Sequence, residues 1–129
     1  LSIYHKHRSI IYIWRVLMIE KSLLSGSTTM LLLRLLEEKD MYGYEMIDTL
    51  RKQSNNVFEL KAGTLYPLLH SLEEKNLLFS YEEEINGKVR KYYQLSKEGK
   101  KYLKQKKEEW QEYTKAVSNV LGGNCYGLV

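Results

Sequence analysis

The residues best able to do chemistry in this 129-residue chain fall in two short stretches. NGKVRKYY (86–93) carries Lys88 and Arg90 at alternate positions beside a turn, with Lys91 next to them. In a strand, that spacing puts Lys88 and Arg90 on one face. Cations near a hairpin tip suit contact with backbone phosphate. KAGTLYPLLH (61–70) carries Lys61, Thr64, Tyr66 and His70. Tyr66 and His70 are four apart and point away from the leucines of the same segment, while Lys61 and Thr64 suit hydrogen bonds to phosphate or base edges. Tyr42, in MYGY, adds a hydroxyl at a helix N-terminus, where free backbone N–H groups favour an anion. Taken singly, each stretch also reads blandly, as a soluble hairpin and a loop-to-helix joint. Glu82, Glu83 and Glu84 on the opposite strand would repel DNA, so they are expected to point away.

Other chemistries find little support. His5 and His7 form an H-x-H pair with no further ligands near in sequence, and the single cysteine, Cys125, cannot close an intrachain disulfide. No G-x-S-x-G, phosphate-cradling glycine loop or Cys/His pair occurs. The expectation is therefore a non-enzyme with no metal, no cofactor and no catalytic residue. The longest apolar stretch, SIIYIWRVLMI (9–19), is too short to cross a bilayer, is broken by Arg15 and makes a poor signal peptide. A cytoplasmic location with no membrane partner follows as the expectation. The net charge of +4 permits an anionic partner without demanding one. Its distribution says more: residues 88–107 hold nine Lys or Arg and one acid, Glu98.

These residues need elements to position them. STTMLLLRLLEE predicts a helix over 27–38, with Ser25, Ser27 and Thr28 available as caps and leucines round most of its circumference. A second helix is expected over 42–56, with Met46, Ile47 and Leu50 inward, Tyr44 in the core and Tyr42 at the surface. In the third, Leu65, Leu68, Leu69 and Leu72 make one apolar face. If Thr64 is the N-cap, Pro67 falls at N3, where its missing N–H costs little, and Gly63 allows close approach of whatever lies in front. Asn86-Gly87 predicts a type I′ hairpin. Ser96 opens a long helix ending at Gly122, with Gly99 near its start, where glycine does least harm. On it, Leu103, Trp110, Tyr113, Val117 and Val120 keep heptad spacing broken only by Lys106, a seam that calls for a second copy of the chain.

The fold class expected is mainly α with a small β-hairpin: a winged helix-turn-helix plus a long C-terminal dimerisation helix. Residues 1–20 are assigned to an N-terminal extension, 21–95 to the DNA-binding domain, 96–121 to the dimerisation helix and 122–129 to a tail. Met18 opens a plausible natural start, and residues 1–17 read either as an extension or as an amphipathic helix packing on a partner.

MYGYEM (41–46), GTLYPLLHSLEEKNLL (63–78) and RKYYQLSKEGKKYL (90–103) together resemble, in order and spacing, the PadR family of bacterial transcriptional regulators. The likeness runs from about Lys21 to Leu121, and the single C-terminal helix resembles the short-form subfamily. It implies a homodimeric repressor that binds palindromic operator DNA and leaves it when a small molecule binds. Some multidrug-sensing members sandwich flat aromatic ligands against a tryptophan that Trp110 matches. Lys107 and Arg34 nearby would suit an anionic effector better than a cationic drug, and Trp110 is equally readable as a plain seam residue. The alternative function is a winged-helix protein-interaction module without sequence-specific DNA binding.

Overall fold

The structure is a computed structural model that describes residues 21–123, with side chains from 26 onward. The N-terminal extension, His5, His7 and Cys125 lie outside the described residues. In chain order the elements are α1 (Lys21–Glu38), β1 (Met41–Tyr42), α2 (Gly43–Gln53), α3 (Ala62–Glu74), β2 (Leu78–Ile85), β3 (Lys88–Leu95) and α4 (Lys97–Leu121). The strands form an antiparallel sheet in the order β1-β3-β2. Three helices, a hairpin wing and a long last helix make a winged helix-turn-helix, the fold class expected.

Leucines fix the core. Leu32, Leu33, Leu35 and Leu36 of α1 are all buried, so this helix is covered on several sides. Around it pack Met46 and Leu50 of α2, Leu65, Leu69 and Leu72 of α3, and Leu78, Tyr93 and Leu95 of the wing base. Leu103 of α4 joins them with no exposed surface. It therefore belongs to the subunit's own core and not to a seam, because α4 packs against α1 and Leu103 joins the same buried cluster.

Several local expectations give way to tertiary contacts. α1 is already helical at Lys21, and Ser27 and Thr28 are buried inside it rather than capping it. Packing of these small side chains overrides a local capping signal. Met41 and Tyr42 form a strand paired with Tyr93 and Tyr92, a bridge that no local period announces. The N-cap of α3 lies three residues before Thr64: it is Lys61, without a side-chain cap, and its carbonyl accepts the N–H groups of both Thr64 and Leu65. Pro67 thus stands in the second turn, not at N3. It is exposed and removes the helical partner of the Gly63 carbonyl on the outer side of α3.

The hairpin turns as expected, with φ of 53° at Asn86 and 78° at Gly87. Ser96 caps α4, its Oγ accepting the Gly99 N–H at 2.9 Å while donating to the Asn76 carbonyl at 2.7 Å. The Ser96 N–H also reaches the Leu77 carbonyl, at 3.1 Å. The end of α3, the wing base and the start of α4 are therefore tied in one hydrogen-bonded knot. Gly99 is needed there, where a harmless position was expected: a Cβ would meet the Leu77 carbonyl oxygen and would lie 2.7 Å from Leu95 Cδ1. α4 ends at Gly122 in the left-handed region, φ 81°.

Candidate nucleic-acid interface

The start of α2, the first turns of α3 and the tip half of β3 enclose an open cleft of about 500 Å³. Its lining includes Tyr42, Tyr66, Lys88, Arg90 and Lys91, so five of the eight residues singled out for DNA binding meet in one place. Gly43, Tyr44 and Val89 complete it.

Strand register decides how the cations are presented. Lys88, Arg90 and Tyr92 share one face of β3; Val89, Lys91 and Tyr93 share the other. Tyr92 stacks on Tyr81, with centroids 5.8 Å apart, and meets the Tyr42 ring edge-on at 5.6 Å. The Arg90 guanidinium then sits 4.4 Å over the Tyr42 ring, a cation–π contact that holds the charge at the cleft wall. At the far end of the row, the Tyr81 hydroxyl donates to Asp40 Oδ2 at 2.6 Å, which raises the Tyr81 pKa to about 12. Tyr42 thus serves as a shelf for Arg90 as well as standing at the N-terminus of α2, where its side chain makes no cap hydrogen bond.

The acids of β2 do not point away as a group. Glu83 is directly opposite Arg90 and Glu82 opposite Lys91, each on the same face as its cation. Antiparallel pairing fixes this, because opposed residues always share a face. Lys88 is different: its neighbour across the hairpin is Ile85, so the cation at the tip has no acid facing it.

On α3, Lys61, Thr64 and His70 are exposed but lie outside the cleft lining. At 100° per residue, Thr64 and Tyr66 stand about 160° apart, on opposite flanks of the helix. The four groove candidates therefore do not form one stripe. His70 faces solvent, with Nε2 3.1 Å from Glu74 Oε1 one turn on. Tyr66 is 39% exposed and folded down over Gly43, not projecting freely. Tyr44, expected in the core, is 65% exposed, because the inner face of α2 runs through Gly43, Met46 and Leu50. It is the residue that sequence reasoning missed. The signal was present in the helical period, once the inner face is drawn through Gly43.

Beyond Leu103, α4 leaves Trp110, Tyr113, Val117 and Val120 exposed, and the last three join Ala116 and Leu121 in a shallow apolar groove. The Trp110 and Tyr113 rings lie 6.1 Å apart. Arg34 pairs with Glu38 at 3.0 Å, and Glu37 accepts Lys107 at 3.0 Å. Carboxylates of α1 thus neutralise both cations assigned to an anionic effector, and the charge argument for such an effector falls away. Among the described residues, no group of three or more His, Cys, Asp or Glu is placed to hold a metal ion. No helix among them is long and apolar enough to cross a membrane.

The profile of the family described as transcriptional regulator PadR-like matches residues 32–105, a span that holds the whole cleft and stops short of Trp110. An uncharacterized protein of Lysinibacillus sphaericus is 34% identical over 107 residues, which is 82% of this chain and 98% of the relative. The transcriptional regulator YqjI of Escherichia coli (strain K12) is 30% identical over 79% of this chain, and the chain spans 46% of that protein's length. Among solved structures, a PadR family transcriptional regulator from Eggerthella lenta superposes with a TM-score of 0.70 at 29% identity, over 96% of this chain and all of the other.

Proposed function

This chain belongs to the PadR-like family of transcriptional regulators, and from that premise we propose that it acts in the cytoplasm as a homodimeric repressor on palindromic operator DNA. The observation that carries the reading is the cleft, where Lys88, Arg90 and Lys91 of the wing meet tyrosines from α2 and α3. α3 enters the major groove with Lys61 and Thr64 leading and His70 further along its exposed side, while Tyr66 stays folded on the cleft floor; the wing holds the flanking phosphates. Tyr42 and Tyr44 offer hydroxyls at the N-terminus of α2, where backbone N–H groups add to the pull on a phosphate. A second subunit packs along the α4 seam of Trp110, Tyr113, Val117 and Val120, which sets two copies of α3 about one helical turn, ~34 Å, apart. A flat aromatic effector fits between Trp110 and its symmetry mate and releases the DNA. Tryptophan quenching with aromatic compounds, after replacement of Trp14, tests that part.

The direct test is a titration of duplex from the chain's own promoter against random duplex at one salt concentration. Specific repressors prefer their site by ~10³-fold or more. Equal affinity for both would replace this reading with a protein-interaction module.

Two substitutions refine the interface. Lys88→Ala should weaken binding to every sequence and reduce the slope of log K against log salt by about one. An unchanged slope would take Lys88 off the phosphate list. Gly63 is exposed, and a Cβ there would touch nothing in the chain. Gly63→Ala should therefore raise the melting temperature, by up to about 1 kcal/mol of helix propensity. It should weaken operator binding all the same, because the new methyl faces the groove. A variant that gains stability and keeps full affinity would show that Gly63 is not at the DNA surface.

A further inference from the structure

Gly43 is buried at the first position of α2, and its backbone does not explain it. Its φ is not among the positive values, which among the described glycines belong to Gly87 and Gly122. What occupies the missing side chain's place is the phenol of Tyr66. A Cβ on Gly43 would meet the Tyr66 hydroxyl and would stand 2.6 Å from Cζ and 3.0 Å from Cε1. Real Cβ atoms essentially never come so close. The ring therefore lies in a notch that only glycine leaves open, bridging the α3 face to the N-terminus of α2.

We propose that Gly43 is a positioning residue for DNA binding: it forms the notch that holds the Tyr66 phenol down on the cleft floor, so that a backbone phosphate can seat between the start of α2 and Arg90. This rests on the DNA-binding reading given above. The notch matters because Tyr66 has two places to go. Laid over Gly43, it forms part of the floor and keeps its hydroxyl beside the uncapped N-terminal turn of α2. Lifted off, the ring swings into the opening between α3 and β3, where it blocks the space a phosphate needs. The clash created by a methyl at position 43 is with the far end of a flexible side chain, so it is relieved by turning Tyr66 and not by moving backbone. The effect of Gly43→Ala is then on the shape of the site more than on the fold.

The experiment is a double-mutant cycle on the full chain, read by fluorescence-anisotropy titration with promoter duplex and by thermal melting. Gly43→Ala should lower affinity about tenfold, a loss in the range of one well-placed contact. Tyr66→Ala should lower it by a comparable factor. The double variant should bind no more weakly than Tyr66→Ala alone, because with the ring gone the methyl has nothing to displace. A Gly43→Ala protein within twofold of wild type, or a double variant losing the product of the two single effects, would overturn the proposal. If Gly43→Ala proves too unstable to titrate, Tyr66→Ala should restore its melting temperature; failure to do so would overturn it equally. Should wild type show no preference for promoter duplex, the DNA reading fails on that arm. The melting cycle still decides whether Gly43 and Tyr66 are coupled.

Discussion

Gly99→Ala should lower the melting temperature by ~8–16 °C, the largest stability loss expected of any single methyl added to this chain. The added carbon would collide with the Leu77 carbonyl oxygen, lie 2.7 Å from Leu95 Cδ1 and 3.0 Å from the Leu77 carbonyl carbon. Leu95 can rotate, but the carbonyl cannot. Leu77 is buried between α3 and the wing, and its oxygen already accepts the Ser96 N–H at 3.1 Å. Relief must come from backing α4 away from the wing base. That strains the Ser96 cap, the bond from Ser96 Oγ to Asn76 and the packing of Leu103, one turn further along. Overpacking of this kind costs ~1–3 kcal/mol, and a strained hydrogen bond adds about 1. The sum is a large part of the ~5–15 kcal/mol that holds a domain folded. Thermal unfolding followed by circular dichroism checks it. A midpoint within 5 °C of wild type would mean that α4 docks with slack the structure does not contain.

The second expectation concerns assembly. Val117→Glu should give a folded monomer whose affinity for a palindromic operator falls by a factor of ~10²–10⁴, with half-site affinity unchanged. Val117 is partly exposed in the apolar groove with Tyr113, Val120 and Leu121, so a carboxylate there disturbs little within the subunit. Glutamate is also a better helix former than valine. In a dimer the same carboxylate would be buried without a partner, which costs several kcal/mol. Once the subunits part, the second half-site is no longer bound intramolecularly, and that is the source of the large factor. Sedimentation should report the mass of one chain, and titrations with whole and half operators should converge. A variant that remains dimeric and binds whole operator within threefold of wild type would place the subunit contact elsewhere on the chain.

Much of the architecture was legible because it is local. The leucine spacing of α3, the Asn86-Gly87 turn, the Ser96 cap and the Gly122 stop each act within a few residues. What escaped was set by partners far off in the chain. β1 exists only because Tyr92 and Tyr93 return beside it. Leu103 fits the heptad pattern as well as Val117 does, and only the path of α4 over α1 assigns it to the core. The register pairing Glu83 with Arg90 follows from the hairpin turn, but its electrostatic meaning needs both strands at once. The cleft was half visible. Its cations and Tyr66 stood out by residue type, whereas Tyr44 and Gly43 became visible only once the inner face of α2 was known.

The knot at Asn76, Leu77, Ser96 and Gly99 has a mechanical consequence. It ties α3 directly to α4, so under the proposed function the helix assigned to the major groove and the helix assigned to the subunit seam turn as one lever. α4 is 25 residues long, about 37 Å at an α-helical rise. A tilt of 5° at the seam therefore displaces the other end by roughly 3 Å, close to the step between neighbouring base pairs along one strand. In the proposed two-fold pair of such levers, a wedge a few degrees wide at Trp110 would put the two copies of α3 out of phase with the DNA without altering either one.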